Sequence, residues 1–367
     1  MRHRTHHFRH ILSTRRRLAA FMFAAVSLAN FHCTFAATTC ITAGDVAGLQ
    51  SALAGAAAND EDDLIQLQIG DYLMQQAFVL DYPSSKPYSL TIEGGYSPNF
   101  GNDCGTPPAT PDARLTVLDR GLWRLHLAVG ATSIQLRGLT LQNTFSGDPT
   151  HAPIEITADS AATGQIEIEN SILFGNSSAT TSAIYVSAAQ GSVLVQNSLF
   201  AGNLSLAAMN PIRFRSLRNG AFCTSLVNST FAGNTSSLPA LYVFAPNCAT
   251  VAANDVFWGS APGGDVVFEN PSLTYLVSDD FADLAETANA QVLDVISVDP
   301  QFEADFSLAD FSPLRDRGST GSAFFTPGTF DVGGEPRTYH GELPDIGAFE
   351  IQDVILAHDF DVDFTAL

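Results

Sequence analysis

One set of polar and aromatic residues recurs at a nearly constant interval in the middle of the chain. Its members take the second position of five short segments, LHLA, IEIT, IYVS, IRFR and LYVF, which begin at residues 125, 154, 184, 212 and 241. The members are His126, Glu155, Tyr185, Arg213 and Tyr242. If the apolar residues on either side of each member point into a core, alternation along a strand turns these five outward. The sequence therefore predicts a line of polar and aromatic side chains on one exposed face.

This line suits a sugar chain, because pyranose rings stack on aromatic faces and their hydroxyls hydrogen-bond to charged neighbours. Arg213, Arg215 and Arg218 could hold a carboxylated sugar, or supply the basic group with which a lyase removes a proton next to a uronate carboxylate. The same residues are also expected on a solvated strand face, where tyrosine is frequent and Glu, Tyr and Arg pack well across strands. Both interpretations stay open at the level of the sequence.

Other site chemistry has less support in the sequence. A zinc site is not expected, because the chain has no CxxC motif and only four histidines follow residue 36. Asp279 and Asp280 are interpreted as a solvated turn, since adjacent residues on a strand face opposite sides and cannot act together on one bond. We therefore expect no metal and no cofactor; calcium is possible only if the protein is a lyase.

The strands that would carry the exposed line belong to a repeat. Three near copies of one phrase occur, namely NSILFGNSS (170–178), NSLFAGNLS (197–205) and NSTFAGNTS (228–236). Asparagines mark one register at intervals of 27, 31 and 26 residues: Asn170, Asn197, Asn228 and Asn254. Repeats of this length, rich in β-branched and aromatic residues and interrupted by Gly and Asn, predict a β-solenoid. We place Arg137 at the equivalent position upstream and expect seven or eight coils.

Stacked coils would place equivalent side chains over one another at a spacing of about 4.8 Å. Asparagine suits such a stack, since its amide can hydrogen-bond to the next coil and its backbone tolerates the left-handed conformation of a turn. The sequence thus predicts structural ladders. They comprise the register-marking asparagines and a second set that follows a glycine: Asn176, Asn203 and Asn234.

Four cysteines follow residue 36, at positions 40, 104, 223 and 248. An even number in an exported chain suggests two disulfides, although four cysteines allow three pairings. Cys223 lies five residues before Asn228 and Cys248 six before Asn254, so adjacent coils would bring these cysteines together. We therefore prefer a Cys223–Cys248 pair, with Cys40–Cys104 as the second.

The first 36 residues have the layout of a secretory signal. A basic opening with six arginines precedes the apolar run LAAFMFAAVSLA (18–29) and small residues around a cleavage site near Ala36 or Ala37. An organelle-targeting segment is the alternative. Cleavage removes six basic residues and no acidic ones, which changes the formal charge from −21 to −27. So acidic a chain is not expected to bind nucleic acid, and its apolar runs are too short for a transmembrane helix.

Two family resemblances refine this picture. The repeat resembles the right-handed parallel β-helix of pectin-lyase-like proteins. Four ordered motifs near the C-terminus resemble the choice-of-anchor Q domain: DPQF (299–302), SPLRDRG (312–318), DVGGEPR (331–337) and DIGAFE (345–350). The resemblance implies the handedness of the helix and a bacterial exported or surface protein. We expect Arg337 to pair with Asp316, Asp331 or Asp345 in a terminal cap.

The predicted organisation is an all-β, single-stranded right-handed parallel β-helix with a cap at either end. Its parts are a signal peptide (1–36), an N-terminal cap with a short helix at 45–58 (37–63), the β-helix (64–298), an irregular choice-of-anchor Q-like C-terminal cap (299–352) and a C-terminal tail (353–367). We expect a monomeric secreted, extracellular, cell-surface or periplasmic protein. It would bind or adhere to a polysaccharide or cell-surface glycan without catalysis; the alternative is a polysaccharide lyase or glycoside hydrolase that acts along the exposed face.

Overall fold

The computed structural model describes residues 37–74, 78–82, 88–97, 104–105, 110–129, 133–158, 164–260, 264–269, 271–282, 284–287, 290–338 and 343–352. The predicted signal peptide (1–36) and C-terminal tail (353–367) lie outside the described residues. No helix among the described residues is long and apolar enough to cross a membrane.

The elements follow one another along the chain as strands that are separated by short turns. The first are β1 (Ala37–Ile41), α1 (Val46–Ala58), β2 (Asp63–Gln68), β3 (Gly70–Leu73), β4 (Phe78–Tyr82), β5 (Leu90–Tyr96), a 3-10 turn (Ala113–Leu115), β6 (Thr116–Gly121), β7 (Trp123–Val129), β8 (Ser133–Arg137) and β9 (Thr140–Ser146). Next come β10 (Ile154–Ala158), β11 (Gln165–Glu169), β12 (Ile172–Phe174), β13 (Ser177–Ser178), β14 (Ile184–Ala188), β15 (Ser192–Gln196), β16 (Leu199–Ala201), β17 (Leu204–Ser205), β18 (Ile212–Ser216) and β19 (Phe222–Val227). The last are β20 (Thr230–Ala232), β21 (Leu241–Phe244), β22 (Ala249–Ala253), β23 (Val256–Trp258), β24 (Val266–Glu269), β25 (Leu273–Val277), β26 (Asp280–Phe281), β27 (Leu284–Thr287) and β28 (Ala290–Leu293).

These strands form three long parallel sheets, and the chain visits each sheet once per coil. Sheet I has the order β1-β2-β5-β8-β11-β15-β19-β22-β25-β28. Sheet II has the order β4-β7-β10-β14-β18-β21-β24-β27. Sheet III contains β9-β12-β16-β20-β23-β26, with β3 and β6 before β9 and the short β13 and β17 beside it. The prediction of an all-β parallel solenoid is confirmed, with about eight coils in the range that the repeat predicts.

The helical part of the N-terminal cap also forms. Helix α1 begins after Asp45, whose carboxylate accepts a hydrogen bond from the Gly48 amide at 2.8 Å. Such a side chain satisfies one of the amides that have no partner within the first turn. The helix buries Leu49, Leu53 and Ala56 and contacts β1, β2 and β4. It therefore packs its apolar residues onto the first coil.

The interior is filled by side chains that repeat once per coil. Phe200, Phe231, Phe257 and Phe281 form one stack with ring-centroid separations of 4.9, 5.2 and 4.7 Å. These separations match the spacing of neighbouring strands, about 4.8 Å, because in-register parallel pairing places identical residues side by side. All four rings are buried, so this stack combines aromatic contact with removal of apolar surface from water.

The register-marking asparagines lie in one column at the turn between sheets I and III. Asn170, Asn197, Asn228 and Asn254 have φ angles of 45, 49, 50 and 58°, in the left-handed region that asparagine tolerates. Asn228 Nδ2 donates to Asn197 Oδ1 at 3.2 Å, and Asn254 Nδ2 donates to Asn228 Oδ1 at 2.8 Å. The upstream assignment of Arg137 was wrong by one residue. Arg137 pairs with Glu169, so the equivalent position is Gly138, whose φ is 62°.

The second set of asparagines forms a ladder inside the solenoid. Asn203 Oδ1 accepts hydrogen bonds from both the backbone amide and the side-chain amide of Asn176, each at 3.1 Å. Asn234 Oδ1 accepts the same pair from Asn203, at 3.0 and 2.9 Å. Each Nδ2 also donates to a carbonyl of an earlier coil, as Asn203 does to Leu173 at 2.9 Å. The three asparagines are at most 1% exposed, so this ladder replaces water as the hydrogen-bond partner of the buried turn.

Both preferred cysteine pairs lie at disulfide distance. Cys40 and Cys104 have a Cα–Cα separation of 5.4 Å, and Cys223 and Cys248 one of 5.9 Å. The second pair links β19 to the chain just before β22, which are neighbouring strands of sheet I. The repeat register is the reason that these two cysteines meet.

The C-terminal region runs along the flank of the solenoid, across several coils. Asn254 Nδ2 donates to the Ser319 carbonyl at 2.9 Å, whereas Asn170 Nδ2 donates to the Asp331 carbonyl at 2.7 Å. Further upstream, the Ala113 amide donates to the Val332 carbonyl at 3.1 Å. The region is irregular, as predicted. The DVGGEPR and DIGAFE motifs lie against the turn between sheets I and III, in contact with the register-marking asparagines.

Arg337 is the centre of this attachment. Its guanidinium is 1% exposed and donates to Asn197 Oδ1 at 3.0 Å and to the Asn228 carbonyl at 3.1 Å. The carboxyl group nearest to its guanidinium is that of Glu350, at 3.6 Å, and not one of the aspartates that we expected. The carboxylates of Asp331 and Asp345 accept backbone amides instead. Burial raises the pKa of Glu350 to about 9, an effect that the nearby Arg337 opposes.

Asp279 and Asp280 are buried, so their interpretation as a solvated turn was wrong. Asp279 accepts the backbone amides of Asp255 and Val277, each at 2.9 Å. Asp280 Oδ1 accepts the Val298 amide at 3.0 Å, while its Oδ2 has no hydrogen-bond partner among the described residues. Desolvation by burial raises the pKa of Asp280 to about 6. Both side chains belong to the interior of the last coils.

We expect Asn203→Ala to lower the free energy of unfolding by about 3 kcal/mol, because the buried Asn176 amide and Leu173 carbonyl lose their partner. Urea denaturation followed by circular dichroism measures the change. Asn219→Ala, at an exposed asparagine in the turn after β18, is the matched control and should change stability by less than about 0.5 kcal/mol. Equal losses in the two variants would contradict a role for the ladder.

Asp280→Asn should stabilise the protein progressively as the pH rises. Because the folded pKa, about 6, lies above the ordinary value of 3.8, the folded state binds more protons than the unfolded state between about pH 4 and pH 6. The wild-type protein therefore loses stability across this window as the pH increases, and the neutral amide removes that loss. Urea midpoints at several pH values measure the difference between variant and wild type. For the exposed Asn219→Ala, which changes no titratable group, the difference should not vary with pH in this way.

Candidate functional site

The exposed face of sheet II carries the predicted line of side chains. Strand pairing joins His126 to Glu155, Glu155 to Tyr185, Tyr185 to Arg213 and Arg213 to Tyr242 as direct neighbours. Asp81 on β4 precedes His126, and Val267 on β24 follows Tyr242. We call these seven residues the outer column. The flanking apolar residues are buried, whereas the five predicted members are half-buried, as alternation requires.

Arg215 lies in a second column, two residues further along each strand, where it is half-buried and its neighbour Ser187 is buried. It pairs with Ser187 on one side and with Phe244 on the other, and Phe244 pairs in turn with Glu269. Arg218 is not part of either column. It lies in the turn after β18, where its backbone amide donates to Ser216 Oγ at 3.4 Å.

The centre of the outer column is a guanidinium between two phenol rings. The Arg213 Cζ atom lies 5.9 Å from the Tyr185 ring centroid and 5.1 Å from that of Tyr242. Both distances are within the range of cation–π attraction. Phe244 extends the aromatic surface, because its ring is nearly parallel to that of Tyr242 at 6.3 Å. Three neighbouring strands thus present a row of flat faces.

Arg213 keeps its capacity to bind an anion. In the part of the chain that the structure describes, no ion pair of 4.0 Å or less involves Arg213 or Arg215. The Nε atom of Arg213 is buried and has no hydrogen-bond partner there. In so acidic a protein, an arginine without a carboxylate partner is a ready donor to a carboxylate or hydroxyl of a ligand.

Tyr242 is fixed by a carboxylate that the sequence pattern did not reveal. Its hydroxyl donates to Glu269 Oε2 at 2.5 Å. Burial raises the pKa of the Tyr242 phenol to about 12, and the hydrogen bond and negative charge of Glu269 add to this effect. The phenol is therefore neutral at physiological pH. It presents a fixed ring and is unsuited to act as a base.

The other end of the outer column is acidic and imidazole-rich. His126 Nδ1 lies 2.9 Å from Asp81 Oδ1, and His151 Nδ1 lies 3.0 Å from Glu155 Oε2. The two imidazole rings are 5.4 Å apart. Sequence reasoning missed Asp81 and His151. Strand alignment could have found Asp81, but His151 lies in the turn before β10, where the two-residue period no longer applies.

The turn that carries His151 is well anchored. Asp148 accepts hydrogen bonds from the Thr150 amide at 2.8 Å and the Thr150 hydroxyl at 2.7 Å, and these bonds are the main reason that its pKa falls to about 2. Arg124 donates to the same carboxylate at 2.8 Å. Thr181, from the next coil, donates to the His151 carbonyl at 3.1 Å. The imidazole therefore lies on a positioned turn.

A cleft of about 280 Å³ lies beside the middle of the outer column. It is lined by Thr150, Ala152, Glu155, Thr181, Ser182, Tyr185, Met209 and Arg213. A smaller cleft of about 140 Å³ lies between Arg213, Arg215, Tyr242 and Phe244. Hydroxyls, one carboxylate, two arginines and aromatic faces thus border two adjoining depressions on one face.

A larger apolar cleft of about 360 Å³ lies elsewhere, between sheet III and the C-terminal region. Ile172, Leu199, Phe306 and Phe349 line it, and these side chains also form one packed cluster. Its polar lining is sparse, with Arg114 and Asp305 among its few charged residues. We regard this cleft as the seam between two packed parts of the chain, and the face of sheet II as the better candidate site.

Comparison with known proteins gives no assignment, because no family model and no curated protein sequence matches the chain. The choice-of-anchor Q resemblance of the C-terminal motifs therefore has no support from a family match.

A double-mutant cycle tests the contact at the centre of the column. We expect Arg213→Met and Tyr242→Leu to show a coupling of about 0.5–1 kcal/mol in the free energy of unfolding, because the guanidinium lies over the ring. Urea denaturation of the wild type, both single variants and the double variant measures the coupling. Arg213→Met combined with Phe311→Leu, at an exposed ring in the C-terminal region, should be additive. Additivity in both cycles would mean that the sheet II contact does not form.

Proposed function

We propose that the exposed face of sheet II binds a glycan, and that the protein acts outside the cytoplasm as a non-catalytic carbohydrate-binding or adhesive protein. The observation that supports this function best is the row of Tyr185, Arg213 and Tyr242 on three adjacent strands. Aromatic rings offer stacking surfaces for sugar rings, and the guanidinium between them offers hydrogen bonds to hydroxyls or a carboxylate.

The geometry favours an elongated ligand over a single sugar. The side chains lie in line across the strands at a spacing of about 4.8 Å, and the two clefts on this face share Arg213. A ligand that crosses the strands would meet Glu155, Tyr185, Arg213 and Tyr242 in that order. A polysaccharide or the extended part of a cell-surface glycan has this shape.

Export is the second part of the proposal. Two cysteine pairs at disulfide distance suit an oxidising compartment, since cytosolic thiols are normally kept reduced. The secretory layout of residues 1–36 points the same way. The C-terminal motifs, which resemble the choice-of-anchor Q domain, agree with a bacterial surface or secreted protein.

Cleavage of a polysaccharide is the competing function, and one carboxylate pair has a spacing that approaches its requirement. Glycoside hydrolysis needs two carboxyl groups about 5–9.5 Å apart. Glu155 and Glu269 are four strands apart, roughly 19 Å, which is too far. Asp81 and Glu155 are two strands apart, roughly 10 Å, close to the upper limit. Because each of these two carboxylates is paired with a histidine, we favour binding without cleavage.

Glycan-array screening followed by calorimetry tests the binding. We expect Tyr185→Ala to weaken the affinity for the selected glycan about tenfold, since loss of one stacking contact costs about 1.4 kcal/mol. Phe311→Ala, which removes an exposed aromatic ring from the C-terminal region, should leave the affinity unchanged. Failure of any glycan to bind a folded protein would reject the proposal.

A parallel assay addresses the competing function. Reducing ends and unsaturated uronate absorbance are measured on a polysaccharide panel with and without calcium. We expect no product. Turnover that disappears in Glu155→Gln, with the fold retained, would show that the protein is an enzyme and that Glu155 takes part in catalysis.

A further inference from the structure

We propose that His126, His151 and Glu155 form a binding site for a divalent transition metal ion of the zinc class. One ligand atom from each residue lies within 4.8 Å of those of the other two. The side chains are 19, 37 and 12% exposed, so the group is half-buried yet open to solvent. Metal binding here would not require the proposed glycan binding, although His126 and Glu155 belong to both surfaces.

The donor set determines the class of ion. Two imidazoles and one carboxylate suit Zn²⁺ and its neighbours in the first transition row, whereas Ca²⁺ and Mg²⁺ prefer sites built from oxygen alone. Two histidines and one glutamate are a ligand set that proteins use for zinc when three protein ligands leave one position open. The sequence pattern did not reveal this set, because its histidines are 25 residues apart in the chain.

The distances are close to those of a metal site. With metal–ligand bonds of about 2.0–2.2 Å, tetrahedral ligand atoms lie roughly 3.3 Å apart. His151 Nδ1 and Glu155 Oε2 already lie 3.0 Å apart, so an ion would take the place of the proton between them. His126 would have to approach by on the order of 1.5 Å, within the reach of a side-chain rotation.

Asp81 supplies the supporting contact that metal-binding histidines normally have. Its carboxylate lies 2.9 Å from His126 Nδ1, which fixes the ring and leaves Nε2 for a metal ion. A carboxylate on the second nitrogen orients a ligating imidazole and strengthens it as a donor. Asp81, His126 and Glu155 are direct neighbours on three successive strands, so the coil register positions the carboxylate, the imidazole and the second ligand together.

The site would also place a metal ion next to the central cleft. Glu155 belongs both to the group of three and to the lining of the 280 Å³ cleft, which Tyr185 and Arg213 share. Since three protein ligands leave a tetrahedral ion one open position, water or an oxygen of a bound molecule could complete the coordination.

Zinc titration of the full-length chain tests the site by calorimetry. In every protein used, glutamine replaces the histidines at positions 3, 6, 7, 10 and 32, so that the N-terminal segment does not bind the metal. We expect His151→Ala to bind one equivalent of Zn²⁺ fewer than the parent protein. Asp81→Asn should retain the site with an affinity lowered about 10- to 100-fold, because it removes only the orienting contact.

Two controls keep the outcome decisive. Glu303→Gln removes an exposed carboxylate in the C-terminal region and should bind the same number of ions as the parent. Glu155→Gln provides a second ligand variant if His151→Ala does not fold. Co²⁺ absorbance and anomalous scattering at the zinc edge locate the ion independently of activity. Equal stoichiometry in the parent, His151→Ala and Glu155→Gln would overturn the proposal, whether or not the protein binds a glycan.

Discussion

Adjacent coils are held together by asparagine side chains that have no contact with water. Each amide of the inner ladder must use its oxygen and its nitrogen within the protein, since an unpaired buried polar group is costly. Asn203 does so by accepting from one neighbouring coil and donating to the other. That arrangement is possible only if the coils stay in register at the spacing of hydrogen-bonded strands. The in-register pairing of sheet II in these coils depends on the same spacing.

The register-marking asparagines have a second role, because the C-terminal region binds to the column that they form. Its left-handed backbone places the amide side chains beside that region, where Asn170 and Asn254 donate to carbonyls of the chain that runs past them. Arg337 completes the contact by donating to Asn197 and Asn228 while it is surrounded by three buried carboxyl groups. Repeat and C-terminal motifs therefore depend on each other, although they look unrelated in the sequence.

The fold could be predicted from the sequence because, in a stack of in-register parallel strands, residues that are neighbours in space recur at nearly constant intervals in the sequence. The same reasoning yielded the Cys223–Cys248 pair and the order of residues from His126 to Tyr242. It failed where position is set by something other than strand register. His151 reaches Glu155 from a turn, Arg137 was placed one residue away from the left-handed position, and the burial of Asp280 depends on the chain after residue 295. The positions of His151 and Asp280 are set by tertiary contacts that the repeat register does not encode.

The course of the C-terminal region bears on how the molecule melts. A solenoid in which each coil touches only its neighbours can lose its end coils one at a time, so its unfolding is gradual. Here one segment spans the coils between Ala113 and Asn254 and fastens them from the side. Unfolding of any one of these coils would disrupt its contacts with the C-terminal segment, which the other coils also contact. We therefore expect these coils to unfold more cooperatively than contacts between neighbouring coils alone would allow.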